Sequence, residues 1–264
     1  MPDDAPRTDL PVVAIGASAG GLEACRALLK KMPGDSPAAF ILVLHLDPSH
    51  DSMMVDLLSE HTALKVVQAA EGMVLRAGYL HVIPPGHYLT VAHRMLHLAG
   101  PESGKAVRLP FDVLLRALAK DAGAASAAIV LSGTGTDGSL GIADIDAAGG
   151  LVIAEDPAEA DYPGMPESAV KTGCVARILR TDKIPAAIAA FVADRPVGPV
   201  QASDGPAPGP ARMIRTARAL TTFWPSWPGS PRRISRSTSA APWSAALRAG
   251  WRSLGSGRMK QGAT

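Results

Sequence analysis

The chain contains little cysteine and no long apolar run. Its 264 residues include only two cysteines, Cys25 and Cys174. They fall within or next to predicted elements and show neither metal-ligand spacing nor a disulfide framework, so we interpret them as small buried hydrophobic residues. No apolar run is long enough to predict a membrane-spanning helix. The first four residues are polar and acidic, unlike a secretory signal, and no cluster of His, Asp or Glu has the spacing of a zinc site. These absences predict a cytoplasmic protein that needs no metal or other cofactor.

Acidic residues are scarce in the last quarter of the chain. After Pro199 there are ten Lys or Arg residues but one acidic residue, Asp204, and all four tryptophans lie in this part. We therefore place a boundary near Arg195. The prediction is a disordered N terminus at 1–10, one folded domain at 11–194 and a disordered tail at 195–264, in which Pro, Ser, Gly, Ala and Arg dominate.

Three interpretations of the tail stay open. It is a solvated segment, or it contacts a partner, a membrane or nucleic acid, or it is translated in a shifted reading frame from near residue 210 and has no structure of its own. For the second case, residues 241–254 would form a short basic amphipathic helix. We expect no nucleic-acid ligand for the folded domain, and the contacts of the tail are unknown.

Short apolar runs alternate with amphipathic segments between residues 11 and 194. The predicted strands are 12–15, 40–44, 79–83, 127–131 and 151–155. The predicted helices are 22–31, 53–61, 112–122, 141–148 and 185–192. Continuous apolar strands separated by helices predict an α/β fold, with a doubly wound, mostly parallel sheet and helices on both faces. Segments 88–91 and 94–98 predict a β-hairpin at an edge of the sheet.

Ser18 lies on a glycine-rich turn between the first predicted strand and the first predicted helix. The turn matches the G-x-S-x-G pattern of a nucleophilic serine, and the helix N terminus behind it favours a developing oxyanion. The same segment also fits a dinucleotide-binding G-x-G-x-x-G turn, with Ser18 in place of the middle glycine and Asp47 as the ribose-binding acid. A nucleophile, a phosphate or nucleotide site and a purely structural turn are all compatible with this segment alone.

A histidine and an aspartate follow two other predicted strands. His45 follows strand 40–44, and Asp137 lies in the glycine-rich loop after strand 127–131. Since the carboxyl ends of parallel strands meet at one edge of a sheet, we expect Ser18, His45 and Asp137 to lie together. His45 would then be the general base and Asp137 the carboxylate that orients it. Taken separately, His45 is an ordinary polar residue and Asp137 a helix N-cap; their joint placement favours catalysis.

Five segments of the domain, in this order, resemble the catalytic domain of the chemotaxis receptor methylesterase (CheB) family. They are IGASAGG at 15–21, HLDP at 45–48, IPPG at 83–86, LSGTGTDG at 131–138 and GMPESA at 164–169. The resemblance covers 11–194 and implies the doubly wound fold already predicted. Segments 45–48 and 132–135 look closest to the subgroup in which the esterase is fused to a receptor methyltransferase and sensor modules.

The resemblance also implies a function. The family hydrolyses glutamate γ-methyl esters on the cytoplasmic helical bundle of chemoreceptors, and some members deamidate glutamine there. Ser18, His45 and Asp137 would be the catalytic triad, with Ala19 and Thr134 near the oxyanion and Gly135 and Met165 in the cleft. Segment 164–166 is equally well interpreted as a turn before a helix that starts near Pro166. The alternative function is a weakly active or inactive docking module for a receptor or a sensor kinase.

Overall fold

The computed structural model describes residues 9–18, 20–44, 53–100 and 109–194, and these residues form nine strands, six α-helices and two short 3₁₀ helices. The strands are β1 Val12–Ala17, β2 Ala39–Leu44, β3 Lys65–Gln68, β4 Tyr79–Val82, β5 Tyr88–Ala92, β6 Met95–Ala99, β7 Ser126–Val130, β8 Leu151–Glu155 and β9 Arg177–Leu179. The helices are α1 Leu22–Leu29, α2 Met53–Ser59, α3 Pro110–Ala122, α4 Gly141–Ala147, α5 Gly164–Lys171 and α6 Ile184–Ala193. The predicted tail at 195–264 lies outside the described residues. None of the described helices has the length and apolar character needed to cross a membrane.

Seven of the strands form one parallel sheet in the order β3-β4-β2-β1-β7-β8-β9. The two strands β1 and β2 are buried along their whole length, as their continuous apolar sequences predict. The predicted doubly wound, mostly parallel arrangement is therefore confirmed.

Each face of the sheet carries its own hydrophobic core. Because successive side chains of a strand point to opposite faces, Val12 and Ala14 of β1 face one core and Val13 and Ile15 the other. Helices α3, α4 and α5 cover the first face, and α1, α2 and α6 cover the second. The first core also includes Leu10, two residues before the start of β1.

The predicted hairpin is present, but its predicted place at an edge of the main sheet is wrong. Strands β5 and β6 pair antiparallel as a separate two-stranded sheet, whereas the edges of the main sheet are β3 and β9. Leu89 and Leu96 of the hairpin are buried in the same core as α3. In the hairpin turn, Arg94 is buried and forms an ion pair of 2.6 Å with Asp121 of α3. Apolar burial and this ion pair therefore hold the hairpin on α3.

Strand β1 lies at the point where the sheet changes its winding direction. Its neighbours are β2 on one side and β7 on the other, and the chain connects to them through helices on opposite faces. In open α/β sheets, ligands bind beyond the carboxyl ends of the strands at such a point. The turn after β1, which holds Ser18, and the loop after β7 both lie there.

Candidate active site

Both backbone polar groups of Ser18 are hydrogen-bonded. Its N–H donates to the carbonyl oxygen of Ser132 at 3.3 Å, which extends the β1–β7 pairing beyond the ends of the strands. Its carbonyl oxygen accepts a hydrogen bond from the N–H of Gly21 at 2.7 Å. These bonds fix the turn that carries the half-buried Ser18 side chain. Because the Ser18 N–H is bonded to Ser132, it is not available to a phosphate, which weakens the nucleotide-binding alternative.

Gly20 of the turn is required on two counts. Its φ of +86° lies in the left-handed region that favours glycine. A Cβ atom at this position would overlap the ring of Tyr162, which lies against the Gly20 backbone. The turn therefore comes into direct contact with an aromatic side chain that is itself 46% exposed.

The loop after β7 borders Ser18 closely. A Cβ atom on Gly133 would lie 2.8 Å from Ser18 Cβ and 2.9 Å from Ser18 N, and would overlap Met165 Sδ. Gly133 therefore lies between Ser18 and the buried side chain of Met165. The next two residues, Thr134 and Gly135, are exposed, and within the described part of the chain their N–H groups donate no hydrogen bond. The site thus places free backbone donors on the loop that touches the serine turn.

Segment 162–165 holds this loop in place. The N–H of Tyr162 donates to Ser132 Oγ at 2.9 Å, and the N–H of Gly133 donates to the Tyr162 carbonyl oxygen at 2.9 Å. The N–H of Met165 donates to the Gly133 carbonyl oxygen, also at 2.9 Å. Helix α5 begins at Gly164, two residues before the predicted start. The segment is thus a turn that enters a helix, and its backbone supports the loop beside Ser18.

Glu155, at the carboxyl end of β8, is a site residue that sequence reasoning missed. Its side chain is buried, and its Oε2 accepts a hydrogen bond from the N–H of Ser132 at 2.6 Å. Its Oε1 accepts a hydrogen bond from Thr181 Oγ1 at 2.8 Å. The rule that polar residues just beyond a strand line the site does not select Glu155, because the sequence predicts it as the last residue of strand 151–155. Burial, and secondarily the charge of Glu155, raise the pKa of Cys25 far above its ordinary value, so this thiol stays protonated.

Asp137 is buried and caps the N terminus of α3. Its Oδ2 accepts a hydrogen bond from the N–H of Phe111 at 3.1 Å, and its Oδ1 accepts one from the N–H of Asp112 at 3.0 Å. The N-cap interpretation therefore has the right chemistry, and the capped helix lies 25 residues earlier in the chain. The ring of Phe111 lies against Gly16, where a Cβ would overlap it. Phe111 thus contacts both Asp137 and the carboxyl end of β1.

Asp112 makes the matching contact in the opposite direction. Its Oδ1 accepts hydrogen bonds from the N–H groups of Leu140 at 3.0 Å and Gly141 at 2.7 Å, at the start of α4. An acidic side chain at a helix N terminus compensates the partial positive charge there. Asp137, in the loop before α4, therefore caps α3, and Asp112 of α3 binds the N terminus of α4. These two contacts fix the loop that contains Asp137.

Several predicted site residues lie outside the described residues. These are His45, with the neighbouring Asp47, and Ala19. The structure therefore brings together Ser18, the Thr134–Gly135 loop and Met165, and places Asp137 further along the same loop. Within the described ranges, no group of three or more His, Cys, Asp or Glu side chains could hold a metal ion.

The sequence of this chain is similar to a known family and to several known proteins. The sequence model of the CheB methylesterase family matches residues 13–188. A protein-glutamate methylesterase/protein-glutamine glutaminase of Anaeromyxobacter dehalogenans is 34% identical over 191 residues, which are 69% of this chain and 55% of that protein. An uncharacterized 104.1 kDa protein of Rhodobacter capsulatus is 39% identical over 143 residues, 54% of this chain and 15% of that protein.

A solved structure agrees with this relationship. The Thermotoga maritima CheB methylesterase catalytic domain superposes with a TM-score of 0.63 at 26% sequence identity, and the match covers 70% of this chain and 98% of that one. The chain spans about half the length of the curated methylesterases it matches. The family model covers well over half of the chain, and the fold agrees with that of the solved catalytic domain. This chain belongs to the CheB methylesterase family.

Proposed function

We propose that this chain is a protein-glutamate methylesterase that hydrolyses glutamate γ-methyl esters on the cytoplasmic helical bundle of a chemoreceptor or a related sensor protein. The contact between Ser18 and the Ser132–Gly135 loop carries the proposal, because it combines a turn-borne serine with backbone N–H groups that bond to none of the described residues. The activity for which the related proteins are named supports it. A cytoplasmic location follows from that substrate.

In the first half-reaction, Ser18 Oγ attacks the ester carbonyl carbon while His45 takes the hydroxyl proton. Asp137 orients His45 and stabilises the imidazolium that forms. The N–H groups of Ala19 and Thr134 donate to the oxyanion, with Gly135 beside them; each such donor typically lowers the barrier by about 3–4 kcal/mol. The bond from the carbonyl carbon to the methoxy oxygen then breaks, and His45 returns its proton to the leaving methanol.

In the second half-reaction, water replaces methanol. His45 takes a proton from the water as it attacks the acyl-enzyme, and the proton returns to Ser18 Oγ when the acyl bond breaks. The receptor side chain leaves as a glutamate carboxylate. A glutamine side chain passes through the same steps with ammonia as the leaving group, which fits the second half of the relatives' name.

The cap contacts of Asp137 are compatible with this role. Each of its carboxylate oxygens accepts one backbone N–H, from Phe111 or Asp112. A carboxylate oxygen has two lone pairs, so these two backbone bonds do not by themselves exclude a hydrogen bond from His45. The partial positive charge at the N terminus of α3 attracts the carboxylate that these N–H groups bind.

The experiment is methanol release from a methylated receptor fragment by the wild type and Ser18→Ala. We expect Ser18→Ala to lower the rate by at least about 10³-fold, because the members of such a triad act as a unit. His45→Ala should cost nearly as much. Ser59→Ala, at an exposed serine of α2, is the matched control and should leave the rate unchanged.

A serine-reactive phosphonate separates the enzyme from the docking-module alternative. Labelling at Ser18, lost in Ser18→Ala and kept in Ser59→Ala, supports the enzyme. A folded wild type that neither takes up the probe nor releases methanol would overturn the proposed function. We also propose that this chain is most similar to the subgroup in which the esterase is fused to a receptor methyltransferase and sensor modules. Its match to a small part of a 104.1 kDa relative supports this proposal.

A further inference from the structure

Glu155 is a buried carboxylate that the acyl-transfer steps above do not use. Its side chain is 4% exposed. Burial of a charge is costly unless hydrogen bonds compensate it, and both of its oxygens are bonded, to the Ser132 N–H and to Thr181 Oγ1. Bonds to an ionised acceptor are among the stronger hydrogen bonds in proteins. These two bonds fix the carboxylate in one orientation.

Ser132 connects Glu155 to the nucleophile. Its N–H donates to Glu155 at 2.6 Å, and its carbonyl oxygen accepts the N–H of Ser18 at 3.3 Å. A rotation of the backbone at Ser132 would therefore disturb the hydrogen bond that fixes the Ser18 turn. It would also move Gly133 and the exposed donors that follow it.

We propose that Glu155 is a positioning residue for acyl transfer, which acts through Ser132 to orient both the Ser18 turn and the loop after β7. The inference rests on the proposed function. A negative charge near a developing oxyanion disfavours that oxyanion, so the benefit of Glu155 lies in its hydrogen-bond geometry. Glutamine keeps that geometry, because its carbonyl oxygen accepts the Ser132 N–H and its amide group donates to Thr181 Oγ1.

The experiment compares Glu155→Ala, Glu155→Gln and Thr181→Val in the full chain, with methanol release measured as separate kcat and KM values. For Glu155→Ala we expect kcat to fall by about 100-fold, the effect of a displacement of about 1 Å at a reacting group, while KM changes by less than about threefold. Glu155→Gln should keep kcat within about threefold of the wild type. Thr181→Val removes one of the two hydrogen bonds of Glu155 and should lower kcat by an intermediate amount. This variant should also remain folded, so it tests the inference even if Glu155→Ala does not fold.

Amide hydrogen exchange at Ser18 and Ser132 tests the inference independently of turnover. Both amides should lose protection in Glu155→Ala and keep it in Glu155→Gln. Unchanged exchange or unchanged kcat in a folded Glu155→Ala would overturn the positioning role, and so would a Glu155→Gln variant as slow as Glu155→Ala. A wild type that releases no methanol would instead overturn the proposed function, while the exchange result would still decide the role of Glu155.

Discussion

Replacing Gly133 with alanine should displace the turn that carries Ser18. The new Cβ would lie 2.8 Å from Ser18 Cβ and 2.9 Å from Ser18 N, and would overlap Met165 Sδ. Carbon atoms in contact prefer about 3.5–4.0 Å, so Gly133 and Ser18 must separate by about 1 Å. Met165 has a flexible side chain that is able to move aside. Ser18 N is a backbone atom and moves only with the turn itself.

The size of the effect follows from this displacement. A shift of about 1 Å at a nucleophile lowers the rate by about 100-fold. Overpacking of this kind costs about 1–3 kcal/mol in the free energy of unfolding. Methanol release and phosphonate labelling of Gly133→Ala should therefore both slow by about 100-fold at a temperature where thermal unfolding shows the protein to be folded.

Gly100→Ala is the matched control. Gly100 follows β6, and a Cβ added there meets no atom of the described residues within 4 Å. This variant should keep the wild-type rate and stability. If Gly133→Ala is folded and its rate stays within about twofold of the wild type, the argument that Gly133 is needed for the approach of the loop to Ser18 is refuted.

Three further variants test other parts of the structure. Asp137→Asn should lower methanol release by about 10⁴-fold, because an amide no longer holds the base in the required tautomer; a loss below tenfold would contradict this role. Burial lowers the pKa of His81 from its ordinary 6.5 to about 4, so the unfolded chain binds more protons between these values. The free energy of unfolding should therefore rise from pH 4 to pH 6.5 by at most about 3 kcal/mol, and urea unfolding of His81→Gln should show a smaller rise. Asp121→Ala leaves the buried Arg94 without this carboxylate and should destabilise the protein by about 3–5 kcal/mol in urea unfolding, with unchanged phosphonate labelling of the folded form.

The central strands were predictable because both of their faces are buried. The apolar runs at β1, β2, β7 and β8 contain the signal in themselves and were placed within two residues of the observed bounds. The edge strands β3 and β9 were missed, since most of their residues are exposed or half-buried and no apolar run marks them. Two segments split by a short polar break predict the hairpin, but its packing on α3 depends on Arg94 and Asp121, which are 27 residues apart.

Part of the site was predictable from the rule that polar residues just beyond parallel strands meet at one edge of the sheet. That rule found Ser18, Asp137 and the loop between β7 and α4 from the sequence alone. It did not find the partners that act over long sequence separations. The bond from Ser132 to Glu155 spans 23 residues, and the contact of Tyr162 with Gly20 joins two loops. Such pairs follow from the packing of the sheet and have no local pattern.

The reciprocal hydrogen bonds of Asp137 with the N terminus of α3, and of Asp112 with that of α4, affect how the site opens. For Asp137 to move away, α3 must lose the acceptor of its first N–H groups, and the contact of Asp112 with the start of α4 would be disturbed with it. Local opening of this loop is therefore coupled to fraying of two helices. We expect Asp137 to share the opening free energy of the sheet-packed helices, although the adjoining residues 134–136 are exposed. The carboxylate proposed to orient His45 is thus already in place before a substrate arrives.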